Sequence, residues 1–195
     1  SLDELAQGMA QLSIIVPPLK ADLAARLDVS GEKVSFVDDK GTSLSSTTAL
    51  AAMCVLAWQA TGGGDIAVPV TQPALFEQLA ARYHGKIVRT RFDLGALMTT
   101  AAQKGVILAG DGEGSFIFPT FALSPDGMMA IAKLLEWLAH QKTRLSRVVW
   151  GLPGHYTARL RVTCPWDAKG KVMRHLNESY GQGSGPQVDG VRVDE

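Results

Sequence analysis

The sequence after Gly62–Gly64 alternates between short apolar runs and longer amphipathic segments, and this alternation constrains the fold more than any other feature. The short runs are typical of buried strands, and the longer segments carry apolar residues at helical spacing. Strands that alternate with helices of about 10–12 residues imply crossover connections and a mainly parallel sheet. The sequence therefore predicts an α/β fold with a mixed, mostly parallel sheet and flanking helices. The predicted strands are 66–70, 86–91, 106–110 and 116–119, and the predicted helices are 74–84, 94–104 and 127–141.

The segments on either side of this alternation have different patterns. Residues 21–28 and 33–41 read as a hairpin, and a helix capped by Ser45 or Ser46 covers 47–60 until the three glycines end it. Residues 2–12 have the spacing of an amphipathic helix. The composition shifts near Trp150, and from residue 145 onward we expect a short helix over 145–150, a half-exposed strand over 155–165, a helix over 167–180 and a terminal strand through Val188 and Val193. Because that last strand has no evident partner, we expect the chain to be a segment of a longer protein.

Composition excludes several classes of function. With 46% hydrophobic and 19% charged residues, the chain can bury a core, and its 19 basic residues balance its 19 acidic ones. Zero net charge argues against a nucleic-acid surface. No apolar run reaches the roughly 18 residues of a membrane span, and no secretory signal is visible. The two cysteines suit a reducing cytoplasm, and Cys54, inside an apolar helix pattern, is predicted to be a buried structural thiol.

The most informative candidate site is the glycine-rich loop after the predicted strand 106–110. Gly110, Asp111, Glu113 and Ser115 belong to it, and ligands bind at the carboxyl ends of strands in parallel sheets. Two carboxylates on such a loop suit hydrogen bonding to sugar hydroxyls, since ionised carboxylates only accept. A plain turn with solvated acids explains the same spacing, so both interpretations stay open. The spacing is not that of a dinucleotide fingerprint.

Other candidates carry less information. Arg89, at the end of a predicted strand, is either a phosphate ligand or a solvated side chain. Asp28, Ser30 and Glu32 alternate like metal ligands, but a hard cation such as Mg²⁺ needs more carboxylates than this turn offers. The four histidines stand singly, which gives no metal-binding pattern.

The order of these motifs resembles the α-D-phosphohexomutases, the phosphoglucomutase/phosphomannomutase family. Residues 34–56 resemble the end of that family's second domain, and 66–70, 86–90, 110–119 and 124–139 resemble its third. The resemblance implies three parts: 1–62 as the end of a domain-2-like unit, 65–150 as a domain-3-like α/β domain, and 151–195 as an extension toward a fourth domain. It implies a sugar-binding set of Gly110, Asp111, Glu113 and Ser115, to which we add Arg89 from its strand-end position.

The departures from the family pattern define what this segment is expected to lack. The family's metal loop falls at 28–33, where Asp28 matches and Glu32 is a conservative change. The Mg²⁺ of the family is therefore not expected here, and no cofactor is expected to bind this segment alone. Because the family's phosphoserine lies in an earlier domain, no catalytic residue is assigned. The expected partners are a weakly bound hexose phosphate, the rest of the parent polypeptide and, as an open alternative, a second copy of the chain.

A narrower likeness covers Cys164–Arg174, which is similar to the mutase-like carboxyl-terminal region of bacterial mannose-1-phosphate guanylyltransferase-like fusion proteins. Two functions follow as alternatives. Either the chain is the middle of a phosphohexomutase and supplies its sugar loop, or it is a non-catalytic regulatory or oligomerisation module fused to a sugar-1-phosphate nucleotidyltransferase. Both alternatives place the protein in the cytoplasm.

Overall fold

The computed structural model describes residues 2–154 and 162–180. The chain divides into two compact units, Ser1–Gly154 and His155–Glu195. The elements of the first unit are α1 (Leu2–Leu19), β1 (Leu23–Leu27), β2 (Val34–Asp38), α2 (Ser46–Thr61), β3 (Gly64–Pro69), α3 (Leu75–Arg82), β4 (Gly85–Thr90), α4 (Leu94–Ala101), β5 (Val106–Gly110), β6 (Phe116–Ile117), α5 (Gly127–His140) and α6 (Leu145–Trp150).

Two sheets organise the first unit. Four strands form one sheet in the order β4-β3-β5-β6, in which β3 runs parallel to both neighbours and β6 is antiparallel to β5. Strands β1 and β2 form a separate antiparallel hairpin. This arrangement confirms the predicted α/β fold with a mixed, mostly parallel sheet and flanking helices. It also brings the carboxyl ends of β3, β4 and β5 to one edge.

Helix α2 is the centre of the core. The side chain of Ser45 caps its first turn by accepting from the Thr48 N–H at 3.1 Å, and Gly62 ends it in a left-handed conformation. Its residues from Ala49 to Trp58 are all buried. Cys54 is fully buried there, as predicted, and desolvation raises the pKa of its thiol. The thiol is therefore a packing group.

Local capping fixes the other helix starts. The carboxylates of Asp93 and Asp126 each accept a backbone N–H at 2.8 Å in the first turns of α4 and α5. Helix α3 begins at Leu75, one residue after the predicted start at residue 74. The Arg89 guanidinium binds the carbonyl groups of residues 72 and 73, which holds the segment before Leu75 as a turn.

The boundary predicted between residues 62 and 65 stays a prediction about the family's domains. In the structure, Gly62 ends α2 and Gly64 begins β3 within the same compact unit.

In the second unit, helix α7 (Trp166–Tyr180) confirms the helix predicted over 167–180. Of the strand predicted over 155–165, residues 162–165 have no strand structure and 155–161 lie outside the described residues, as does the predicted terminal strand. No helix within the described ranges is long and apolar enough to cross a membrane.

Candidate sugar-binding site

A cleft of about 180 Å³ opens where the strands of the four-stranded sheet end. We call it the strand-end cleft; its lining residues are Pro69, Phe92, Asp93, Leu94, Leu97, Asp111 and Glu113. They follow or end three parallel strands, which is the position where ligands bind in open α/β sheets. Two of the five residues predicted as sugar ligands, Asp111 and Glu113, therefore face one cavity.

The Asp111 carboxylate shapes the glycine-rich loop. Its Oδ1 atom accepts hydrogen bonds from the backbone N–H of Glu113 at 2.6 Å and of Ser115 at 3.0 Å. Oδ2 accepts no hydrogen bond from the part of the chain that the structure describes. One oxygen of Asp111 thus builds the turn, and the other retains its capacity to accept a ligand hydroxyl.

Two further residues of the predicted set contribute to the shape of the loop. Gly110 is buried at the end of β5, where a Cβ atom would collide with Leu50. Ser115 is only 4% exposed. The ligand roles predicted for both residues stay predictions.

Gln72, which the sequence did not indicate as part of the site, supports the glycine-rich loop through side-chain hydrogen bonds. Its side chain is 4% exposed, donates to the Asp111 carbonyl at 3.1 Å and accepts from the Thr47 hydroxyl at 3.3 Å. Gly112 has a φ of 70°, and a Cβ atom at that position would collide with the Gln72 amide. The loop therefore requires glycine at 112 both for its backbone angle and for its contact with Gln72.

The hairpin turn 28–33 meets the glycine-rich loop. The Val34 N–H donates to the Gly114 carbonyl at 3.0 Å, and Lys33 Nζ lies 3.9 Å from Glu113 Oε2. The sequence presented these two turns as separate candidates, and the structure places them side by side.

Inside the hairpin turn, both oxygens of Asp28 are engaged. Oδ1 accepts from the Lys33 N–H at 3.0 Å and Oδ2 from the Ser30 hydroxyl at 2.8 Å. The Lys33 N–H and then the Ser30 hydroxyl hold the pKa of this carboxyl below its ordinary value.

These residues do not fit a magnesium ion. Mg²⁺ needs near-octahedral oxygen ligands, whereas both oxygens of Asp28 are committed to their own turn. Within the turn 28–33 this leaves a single further carboxylate, Glu32, next to the cationic Lys33. Within residues 2–154 and 162–180, no group of three or more His, Cys, Asp or Glu side chains has a metal-binding arrangement.

The Arg89 guanidinium is fully engaged in hydrogen bonds within the protein, and the ligand role predicted for it stays a prediction. Its five N–H groups donate to Glu77 and to the carbonyls of residues 69, 72 and 73, at distances between 2.7 and 3.1 Å. In this arrangement no donor of Arg89 remains for a phosphate. The side chain ties the segment that carries Gln72 to β4.

Phe92, Asp93 and Leu94 complete the cleft, and sequence reasoning did not assign them to it. Phe92 is 40% and Leu94 47% exposed, so they give the cleft an apolar wall. Asp93 adds a third carboxylate. One feature of the sequence could have identified these three residues: they directly follow a predicted strand, where ligand-binding loops of parallel sheets occur.

Fold and site together define a class: an α/β protein whose strand-end loops form a small cleft lined by carboxylates. Residues 45–156, more than half of the chain, match the family model "Phosphoglucomutase/phosphomannomutase, alpha/beta/alpha domain III". The chain belongs to the phosphoglucomutase/phosphomannomutase family.

Relatives and solved structures agree with this assignment. A "Probable phosphoglucosamine mutase" of Methanopyrus kandleri is 27% identical over 96% of this chain and 42% of its own length. One of the same description from Methanosarcina barkeri is 30% identical, again over 96% of this chain and 42% of its own length. The chain thus spans about two fifths of these relatives. A phosphoglucomutase/phosphomannomutase family protein of Burkholderia thailandensis has the same fold, with a TM-score of 0.79 at 19% identity, over 96% of this chain and 41% of that one.

Proposed function

We propose that the strand-end cleft binds the sugar ring of a hexose phosphate through the carboxylates of Asp111 and Glu113. The observation that carries this proposal is the Oδ2 atom of Asp111, which belongs to a carboxylate held in place by two backbone N–H groups. An acceptor fixed in this way binds a hydroxyl without the entropic cost of ordering the loop.

The chemistry of the cleft supports a single sugar ring as its ligand. Its volume of about 180 Å³ is smaller than that of pockets for drug-sized molecules. A pyranose has hydroxyl groups at its edge and an apolar face. The acidic loop complements the edge, and the wall formed by Phe92 and Leu94 complements the face.

The charge of the cleft supports an amino sugar in particular. Three carboxylates line it, and two of them pair with cations at the margin, Glu113 with Lys33 at 3.9 Å and Asp93 with Arg91 at 3.8 Å. Asp111 has no such ion pair within the described residues. A protonated amine on the sugar would lower the repulsion among these acids. The relatives described as phosphoglucosamine mutases are consistent with this preference.

The described residues favour a chain that recognises the sugar but does not transfer a phosphoryl group by itself. Transfer requires a phosphorylated nucleophile and charge stabilisation at the moving phosphoryl group. The cleft lining contains no serine, threonine, cysteine or histidine among the residues that the structure describes. Asp28 of the neighbouring turn is committed to Ser30 and Lys33.

The second candidate function is a non-catalytic module fused to a sugar-1-phosphate nucleotidyltransferase. The engaged Asp28 turn and the motif that leads into α7, Cys164–Arg174, favour it. The sequence encoded upstream of Ser1 separates the candidates. A glycine-rich nucleotide-binding region there supports the fusion, and a serine loop of the T-A-S-H-N type supports a mutase.

Calorimetric titration of the 195-residue chain with glucosamine 6-phosphate and glucose 6-phosphate tests the recognition proposal. We expect weak binding, on the order of millimolar, with the amino sugar bound more tightly. Asp111→Asn keeps the amide-accepting Oδ1 but removes the charge, and we expect it to weaken binding about tenfold. Asp28→Asn is the matched control and should bind like the wild type. Equal binding by wild type and Asp111→Asn would contradict the proposal.

A further inference from the structure

A second cavity lies at the opposite end of the sheet. It is an open groove of about 520 Å³ between the carboxyl-terminal half of α2, the end of α3 and the segment from Gln141 to Leu152. We call it the arginine groove, after Arg82 and Arg147. Tyr83 of the groove lies just before β4 in the chain, and Phe92 of the strand-end cleft lies just after it. The six residues of this strand therefore separate the two sites by about 20 Å.

The two arginines of the groove are exposed, and their guanidinium groups are uncommitted. Neither guanidinium forms an ion pair or a hydrogen bond within the described residues, and no Asp or Glu of that part of the chain lines the groove. Arg82 lies 5.6 Å from the centre of the Tyr83 ring, and Tyr83 stacks on Trp58 at 6.5 Å. The stack holds Arg82 in position while leaving its N–H groups available.

Neutral polar side chains accompany the two charges. Gln59, Gln141 and Thr143 line the same groove, and the Gln141 amide donates to the Leu56 carbonyl at 3.2 Å, which fixes its orientation. Val55, Val148 and Leu152 contribute apolar surface. A volume of this size falls within the range of small-molecule sites, which combine an apolar lining with a few placed polar groups.

We propose that the arginine groove binds a small phosphorylated molecule, with the phosphate dianion between Arg82 and Arg147. Two permanently charged guanidinium groups match the two charges of a phosphate monoester and donate in the paired geometry that its oxygens accept. Gln59 and Thr143 supply further hydrogen bonds, and the apolar surface contacts the organic part of the ligand. The groove shares no residue with the strand-end cleft, so this site is independent of the proposed sugar recognition.

Amide chemical-shift mapping of the full 195-residue chain with inorganic phosphate tests this proposal. Relative to sodium chloride at equal ionic strength, phosphate should shift the amide signals of Gln59, Thr143 and Gly151 and saturate on the order of millimolar. Acetate, with one charge, should shift them less. Each of Arg82→Gln and Arg147→Gln should weaken phosphate binding about fivefold or more. Arg91→Gln, an exposed arginine at the other end of the sheet, is the matched control and should bind like the wild type.

Three results would overturn the proposal. The first is that phosphate leaves these amide signals where sodium chloride leaves them. The second is that acetate matches phosphate, which would remove the assignment to a dianion. The third is that the Arg82→Gln/Arg147→Gln double variant retains wild-type binding with an unchanged melting temperature, which shows that it is folded.

Discussion

The hairpin turn 28–33 and the glycine-rich loop 110–115 use the same local device with different results. Each has, at or next to its first residue, an aspartate whose carboxylate accepts a backbone N–H from the far side of its own turn, at 3.0 Å in both cases. The second oxygen of Asp28 accepts a hydrogen bond from the Ser30 hydroxyl, whereas in Asp111 the Oδ1 atom accepts both backbone N–H groups. Of these two aspartates, only Asp111 keeps a carboxylate oxygen that accepts no hydrogen bond from the described residues. An aspartate that shapes its own turn can therefore still bind a ligand, provided that one of its carboxylate oxygens is not used by the hydrogen bonds of the turn.

We expect the largest effect on the free energy of unfolding from the difference in packing between the two turns. Gly112→Ala forces a side chain into a left-handed backbone position and against Gln72, so we expect a loss of about 3 kcal/mol of unfolding free energy. Gly31→Ala is the matched control. Its φ is 76° and nothing lies within 4 Å of the added Cβ atom, so we expect a loss of about 1 kcal/mol. Urea unfolding measures both, and equal losses would contradict the supporting role of Gln72.

The support of the glycine-rich loop by Arg89 gives the next effect. Arg89→Lys cannot reproduce five hydrogen bonds, so several carbonyl groups and Glu77 lose a donor, and we expect a loss of about 2 kcal/mol. Arg91→Lys, whose side chain is 64% exposed and forms one ion pair at 3.8 Å, should cost at most about 0.5 kcal/mol. A loss of stability as small as that of Arg91→Lys would contradict the supporting role of Arg89.

The hydrogen bonds that Asp28 accepts within the hairpin turn should make the stability of the protein depend on pH. They lower the pKa of this carboxyl below its ordinary value of 3.8, so its contribution to stability is present above that pH and lost as the pH falls through the lowered value. The stability advantage of the wild type over Asp28→Asn should be constant near neutral pH and shrink in acid. Unfolding curves on both sides of pH 3.8 measure it. An advantage that grows on acidification would contradict the assigned hydrogen bonds.

The smallest expected effect is that of magnesium. Because Asp28 is committed to its own turn, Mg²⁺ should leave the melting temperature of the chain unchanged, since only a ligand of the folded state stabilises it. A melting temperature that rises with the Mg²⁺ concentration would mean that Asp28 and Glu32 coordinate the ion. Calcium chloride at the same concentrations controls for general ionic effects.

Local signals predicted most of the fold, because the interactions that decide it are local in sequence. Ser45, Asp93 and Asp126 cap helices within three residues of themselves, and Gly62 ends α2 one residue beyond its last turn. The alternation of strands and helices then leaves few topologies.

The site was predictable only in part, for the same physical reason. The glycine-rich loop is a continuous motif at the end of a strand, so the sequence could single out Asp111 and Glu113, which line the strand-end cleft. The contact between Val34 and Gly114 and the bond from Gln72 to Asp111 join residues far apart in the chain, and no spacing reveals them. The engagement of Arg89 likewise depends on carbonyl groups 16 to 20 residues earlier.

The most direct test follows the amide signals of Gly110, Gly112 and Gly114 while glucosamine 6-phosphate is added to the wild type and to Asp111→Asn. These signals should move with the sugar in the wild type, stay unmoved with inorganic phosphate alone, and respond far more weakly in the variant. If the three glycine signals do not respond to the sugar, or respond equally in Asp111→Asn, the strand-end cleft is not a sugar site.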